Sequence, residues 1–293
     1  MHSNASQVLD RIVGWARDND LIRAVILEGS RANPSSVVDA FSDYDVAFVV
    51  SDRTPFVQSD AWQAWYGERM VSWGDNVADA GIERTMRLVL YADGTRIDYC
   101  IWTPEALTTI KERGRLPAIL DTGYRVLFDK DGITGGLRSA TTAVHIPRKP
   151  DEATFLEYVD DFWIDAAYVA KNLCRDQLLP TKYGLNTMIG HGHLRRLFDW
   201  RMEIEHDWKL PAGRHGRSLR NFTPESYWRR LESLFVGAGH AENWDALSAA
   251  LDLHRQLATE VAGALGFNYP HERDKAVTAY LQGQRERDEH LQT

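Results

Sequence analysis

The hydrophobic pattern changes period partway along this chain, and that change restricts the fold more than any other feature. In the first 140 residues, short β-rich runs occur at Arg23 to Leu27 (RAVIL), Tyr44 to Val50 (YDVAFVV), Arg84 to Tyr91 (RTMRLVLY) and Arg96 to Trp102 (RIDYCIW), with a fifth candidate at Tyr124 to Phe128. Ala92-Asp93-Gly94-Thr95 lies between two of these runs, and Asp-Gly in that position predicts a hairpin. Beyond Pro147 and Pro150 the spacing is helical. Phe155, Val159, Phe162, Ala166, Val169 and Leu173 fall on one face, and similar stripes recur over 185–208, 224–236, 241–265 and 273–283. The pattern predicts an α+β chain: a mixed β-sheet with flanking helices over 1–146, then an α-helical bundle over 147–293, joined near His-Ile-Pro-Arg-Lys-Pro-Asp at 145–151.

Charge and composition narrow the partners. There are 34 basic against 42 acidic side chains in 293 residues, a net charge of −8 spread over both halves. A protein that grips a phosphate polymer shows a basic face or stripe, so nucleic acid is not expected as a partner and a small cation is. The mean hydropathy is −0.40. No apolar run is long enough to cross a bilayer and the first ten residues are polar, so a soluble cytoplasmic protein is expected, without a membrane partner and as a monomer. Cys100 and Cys174 are too few and too far apart for a disulfide framework or a zinc ribbon and are expected to be buried free thiols.

The chemistry concentrates in Leu27-Glu28-Gly29-Ser30-Arg31-Ala32-Asn33 and Ser42-Asp43-Tyr44-Asp45-Val46. Gly-Ser directly after a strand lets the backbone approach an anion, and a helix starting there aims free N–H groups at it. Asp43 and Asp45 alternate along a strand, so their carboxylates share a face, and two like charges held close call for a cation such as Mg2+ on a nucleotide. Asp98 sits inside a strand otherwise suited to burial, where an unpaired carboxylate is expensive. If its strand neighbours that of Asp43 and Asp45, three acids face one point, the outline of metal-assisted phosphoryl or nucleotidyl transfer. Each piece alone is commonly a turn, a solvated edge or an ion pair; their order and spacing together favour function.

This arrangement resembles the nucleotidyltransferase superfamily of the polymerase-beta type, whose signature is Gly-Ser, a gap of about a dozen residues, Asp-x-Asp in a strand and a later strand Asp. With Leu127-Phe128-Asp129-Lys130-Asp131, Asp161-Phe162-Trp163 and Ala167-Tyr168-Val169-Ala170-Lys171 added, the chain is similar to the aminoglycoside 6-adenylyltransferases from about residue 8 to about 280. The resemblance implies transfer of AMP from ATP to the 6-hydroxyl of streptomycin, with pyrophosphate leaving and the antibiotic inactivated. It implies Gly29 and Ser30, with Arg31 beside them, at the triphosphate, Asp43 and Asp45 as Mg2+ ligands, and Asp98 as a third metal ligand, as the base for the acceptor hydroxyl, or as both, the combination being favoured.

From the helical half, the resemblance implies positive charge for the departing pyrophosphate. Lys171 matches a family Tyr-Val-Ala-Lys-Gly-Leu segment, with Asn172 in place of Gly; Lys182 lies in a Lys-Tyr segment; and Arg214 and Arg217 stand where the family has lysines. Streptomycin carries guanidinium groups, for which carboxylates are bidentate partners. Asp161 and Asp165, one helical turn apart beside Asp160, are the expected acceptor contacts, with Trp163 and Trp200 as stacking surfaces. ATP and acceptor are expected to meet in a cleft between the two domains. Glu28 is expected to orient either Arg31 or the loop. His191-Gly192-His193 has no recognisable metal spacing and is read as structural. Two other readings stay open: the same machinery acting on another hydroxylated cation or antibiotic, or a nucleotide-binding sensor without transferase activity.

Overall fold

The computed structural model describes residues 5–34, 36–79, 82–210 and 213–292, with the side chains of Ala78, Asp79, Arg214 and Gln292 outside that description. The chain divides into two compact units, Met1–Val144 and His145–Thr293.

The first unit is built on a six-stranded sheet: β1 (Ile22–Glu28), β2 (Tyr44–Val50), β3 (Arg69–Asp79), β4 (Ile82–Tyr91), β5 (Arg96–Trp102) and β6 (Tyr124–Asp129), in the order β3-β4-β5-β2-β1-β6. β2 and β5 run parallel and every other pair is antiparallel, so the sheet is mixed. β1 and β2 are apolar almost throughout because both faces are covered. Val25, Leu27, Val46, Phe48, Val50, Tyr99 and Ile101 form one core with residues of helix α1 (Ala5–Asp18). Ala24, Ile26, Ala47, Val49, Cys100 and Trp102 form the other, with Leu107 and Ile110 of helix α2 (Pro104–Arg113). Pro104 opens α2, where its missing N–H costs nothing, and Gly114 closes it with a φ of +64°.

Five of the strands follow the sequence pattern. β3 does not: its Arg-Met-Val-Ser-Trp-Gly-Asp-Asn-Val-Ala-Asp run has neither a clean alternation nor a continuous apolar stretch. It exists because it pairs along its length with β4 at the sheet edge, where little of it needs burying.

The second unit is helical. The described helices of main length are α3 (Glu152–Leu173), α4 (Arg195–Glu205), α5 (His240–Leu265) and α6 (His271–Gln292). Asp151 caps α3 by accepting from the Thr154 N–H at 2.8 Å, and Gly266 ends α5 with a φ of +76°. Phe155, Val159, Phe162, Ala166 and Val169 pack with Leu197, Leu253, Leu257 and Val261. The stripe expected over 185–208 is helical with a wide-turn, π-wound stretch from Tyr183 to Leu194 before α4. Gly184 fits there because a β-carbon on it would meet Val169 Cγ2 at 2.5 Å.

α6 is markedly polar, and buried acids tie it down. Asp274 accepts a bidentate pair from Arg255 at 2.6 and 2.9 Å, while Asp288 accepts from Trp244 Nε1 at 2.7 Å. Cys100 is a buried free thiol, as expected, but Cys174 is only half-buried. Among the described residues no helix is long and apolar enough to cross a membrane.

Candidate active site

Strand register sets the site. β1 pairs with β2 so that Glu28 lies opposite Asp45, and β2 pairs with β5 so that Asp45 lies opposite Asp98. Directly paired residues point to the same face, so three acids from three adjacent strands form one row, and Asp43 joins it just before β2 begins. A one-residue slip of β5 would turn Asp98 to the other face.

Next to this row the chain makes a tight turn. No helix of any length begins at Gly29-Ser30; the structure has a single 3-10 turn, Gly29–Arg31, in which Ala32 and Asn33 both donate back to the Gly29 carbonyl. Gly29 has a φ of +68°, and a β-carbon there would lie 2.4 Å from Asp45 Oδ2, so only glycine lets the turn and the carboxylate come together. Arg31 reaches away from the turn. Its guanidinium donates to the carbonyls of Ser42 and Asp43 at 2.7 and 2.9 Å and lies 4.0 Å over the Tyr44 ring. It thus clamps the acid-bearing loop to the turn, and Glu28 does not orient it.

The electrostatics favour a cation. Burial, then the charges of Asp98 and Asp43, push the Asp45 carboxyl up to about 6. Burial also raises Asp98, opposed by its hydrogen bonds from Arg96. Arg96 donates to both oxygens of Asp98 at 2.9 and 2.8 Å and lies 3.6 Å from Asp43. Sequence reasoning passed over this arginine, although Arg-Ile-Asp in a strand puts residues 96 and 98 on one face.

Glu28 is 1 % exposed, its Oε1 has no hydrogen-bond partner, and burial with the nearby Asp45 charge pushes its carboxyl up to about 8. Both effects push it towards the protonated form, against the opposing charge of Arg84. Carboxylates that repel one another, with an orphaned buried oxygen beside them, form a donor set suited to a hard cation such as Mg2+.

The structure treats the helical residues unevenly. Lys171 is exposed, 4.9 Å over the Tyr168 ring, and lines a groove of about 510 Å3 with Arg175, Tyr280 and Gln284. Lys182 is committed elsewhere: its ammonium donates to the carbonyls of Val236 and Gly237 at 2.8 and 3.3 Å and to Asn243 Oδ1 at 3.1 Å. The side chain of Arg214 lies outside the described residues. Trp163 and Trp200 are 3 % and 2 % exposed and belong to the core, so the stacking role expected of Trp163 has no free ring face. Aromatic side chains at helical spacing were filling the bundle.

Asp161 and Asp165 do lie together, and His193 joins them. Among the described residues, these are the three ionisable side chains whose ligand atoms all fall within 4.8 Å of one another, with His193 Nε2 2.7 Å from Asp165 Oδ2. The acids of the sheet are not drawn together in that way. His193 was read as structural because spacing alone hid its partner; the π-wound stretch brings it against α3, where Tyr158 donates to its carbonyl.

Comparison with known proteins adds a family. A family model described as streptomycin adenylyltransferase matches residues 1–284. An aminoglycoside 6-adenylyltransferase from Campylobacter jejuni is 27% identical over 267 residues, covering 90% of this chain and 90% of that protein. Another from Bacillus subtilis is 25% identical over 281 residues, covering 94% and 96%. A crystal structure of an aminoglycoside 6-adenyltransferase from Bacillus subtilis aligns with a TM-score of 0.47 at 21% identity, covering 97% of this chain and 99% of that one.

Proposed function

The chain belongs to the streptomycin adenylyltransferase family, and from that premise we propose that it transfers AMP from ATP to a hydroxyl of an aminoglycoside, the 6-hydroxyl of streptomycin in the first instance, releasing pyrophosphate and inactivating the drug. The observation that carries this reading is the acid row, with Asp45 between Glu28 and Asp98 in register across three central strands.

In this reading the nucleotidyltransferase domain, proposed over 1–146, performs the chemistry. The acceptor oxygen attacks the α-phosphorus of ATP, the bond from that phosphorus to the bridging oxygen breaks, and the electron pair leaves with pyrophosphate. Asp98 takes the hydroxyl proton. Arg96 supports this role because its two hydrogen bonds oppose the effect of burial and favour the ionised carboxylate that a base requires. Gly29 and Ser30 carry the turn beside the triphosphate, and Arg31 fixes that turn to the acid loop rather than gripping phosphate itself.

Mg2+, held by Asp43, Asp45 and Asp98, would supply charge neutralisation for the reacting phosphates. Repulsion within the row supports that assignment. In the helical domain, proposed over 147–293, Lys171 is the proposed cation for the nucleotide, and Asp161 with Asp165 the proposed partners for acceptor guanidinium groups. His193 supports the latter by holding Asp165 in one orientation.

The test is a pyrophosphate-release assay with purified protein, Mg2+ and ATP, with and without streptomycin. Streptomycin-dependent release, with the drug gaining one AMP by mass, is the expected result. A folded protein that binds ATP yet releases no pyrophosphate with any acceptor in an aminoglycoside panel would overturn the reading in favour of a nucleotide sensor.

A further inference from the structure

The acid row does not stop at β5. Asp98 pairs with Leu88 of β4, and Leu88 pairs with Trp73 of the edge strand β3, so Trp73 stands on the same face as the carboxylates, two strands beyond Asp98. Two strand spacings are about 10 Å. Leu90, opposite Val71 on one side and Arg96 on the other, extends the same surface. Trp73 is 59% exposed and Val71 58%, while Leu88 and Leu90 beside them on β4 are half-buried.

An exposed tryptophan flanked by valine and leucine is an unusual thing to leave facing water, and the charges on its face are those of nearby acids together with Arg96, which lies opposite Leu90. Asp75 follows on the same face of β3, while Asp43 and Asp98 face Arg96 at the other end of the row. An apolar ring face edged by carboxylates suits a ligand with C–H faces, hydroxyls and positive charge together.

We propose that Trp73, with Val71, Leu88 and Leu90, is the platform on which a saccharide ring of the polycationic acceptor lies while its reactive hydroxyl is presented to Asp98. This rests on the aminoglycoside reading above and adds a specificity residue to it. The span from Asp98 to Trp73 fits an acceptor of two or more linked rings, one at the carboxylates and the next on the indole. Sequence inspection placed the stacking role on Trp163, which the bundle buries; the tryptophan with a free face is on the strand that the sequence pattern did not reveal.

The experiment measures steady-state pyrophosphate release by the full chain with streptomycin and a panel of other aminoglycosides. Trp73→Ala is expected to raise the acceptor KM roughly tenfold, the usual worth of an aromatic contact, with the KM for ATP unmoved. Trp73→Phe is expected to recover most of the loss. Val71→Lys, which puts a positive charge on the platform without disturbing the indole, is expected to raise the acceptor KM as well, so the idea is testable even if Trp73→Ala folds poorly.

An unchanged acceptor KM in folded Trp73→Ala and in Val71→Lys would overturn the platform and leave the transferase reading standing. Failure of the unmodified protein on every acceptor would overturn both. A wild-type dimer in sedimentation that Trp73→Ala dissolves would assign the surface to a second copy of the chain and overturn the proposal.

Discussion

Gly29 and Asp45 occupy the same corner of the molecule: a β-carbon on the first would stand 2.4 Å from Oδ2 of the second. The Gly-Ser turn is therefore shaped around the carboxylate beside it. Gly29→Ala meets two obstacles, a left-handed backbone that disfavours any side chain by about 1–2 kcal/mol and a collision that displaces Asp45. We expect a stability loss of that size by denaturant titration and a fall in kcat of roughly a hundredfold or more, since small misplacements of reacting groups have that effect. A variant with near-normal kcat would show that the turn and the carboxylate are not coupled.

Asp45 costs the metal-free fold stability. Its carboxyl is raised, so the folded state prefers the protonated form; the penalty is absent well below the ordinary carboxylate range, grows as pH rises, and is complete above about 6. In chelator, Asp45→Asn is expected to unfold at higher denaturant than wild type at pH 8, by at most about 3 kcal/mol, with the gap closing towards pH 4. Mg2+ should raise the melting temperature of the wild type and not of the variant, and turnover should be lost. Equal Mg2+ shifts in both proteins would remove Asp45 from the ligand set.

Arg96 opposes the burial that raises the Asp98 carboxyl. Without that partner the Asp98 carboxyl rises further, so Arg96→Ala is expected to move the acid limb of the kcat/KM profile to higher pH while the protein stays folded. An acid limb at the wild-type position would mean that Asp98 is not the group whose ionisation governs the rate.

How much of this was legible in the chain depends on what each residue's neighbours contribute. Asp43, Asp45 and Asp98 stand out because an acid within an apolar strand is costly, and strand alternation assigns their faces. Arg96 has the same alternation but looks like an ordinary strand-end cation until its two hydrogen bonds to Asp98 are seen. β3 is illegible because an edge strand with both faces largely in water needs no hydrophobic period, and so Trp73 carries no signal either. His193 shows the opposite failure. Its His-Gly-His context suggested metal chemistry, yet the two groups that join His193 are Asp161 and Asp165 of α3, some thirty residues earlier, and His191 is not among them.

His254 predicts acid sensitivity in the helical unit. Its ring is fully buried, stacked 3.5 Å from the Phe162 ring at an interplanar angle of 2°, and neither nitrogen has a hydrogen-bond partner. Burial, reinforced by the nearby His193 and Arg255, holds its pKa well below the ordinary 6.5. For a histidine so depressed, the unfolded state binds the proton first, so stability is intact above pH 6.5 and falls by up to about 1.4 kcal/mol per unit below it. Chemical denaturation at pH 7.5 and 5.5 should show the loss in the wild type and a smaller one in His254→Leu. Equal losses in both would place the acid sensitivity elsewhere.

Lys182 separates a structural from a nucleotide-binding cation. With three oxygens on its ammonium, Lys182→Met leaves two carbonyls and Asn243 without their donor and should lower stability by about 1–3 kcal/mol. The KM for ATP is expected to stay within twofold of wild type, whereas Lys171→Met is expected to raise it. A rise for Lys182→Met in a protein that melts normally would restore the phosphate role.

The position of β3 at the margin of the sheet has an evolutionary consequence. β2 and β5, which hold the carboxylates, are covered on both faces and paired on both edges, so almost any change in them disturbs packing, register or charge at once. β3 pairs with β4 alone and leaves most of its side chains in solvent. Its exposed side chains, Met70, Val71 and Trp73 among them, can be exchanged with little effect on the fold, although Gly74 cannot, since a β-carbon there would meet the Met86 carbonyl at 2.8 Å; Asp98, two strands away, is untouched by such changes. If Trp73 and Val71 seat the acceptor as proposed, a change of acceptor can be made on a permissive strip of sequence, physically separate from the strands that carry the carboxylates.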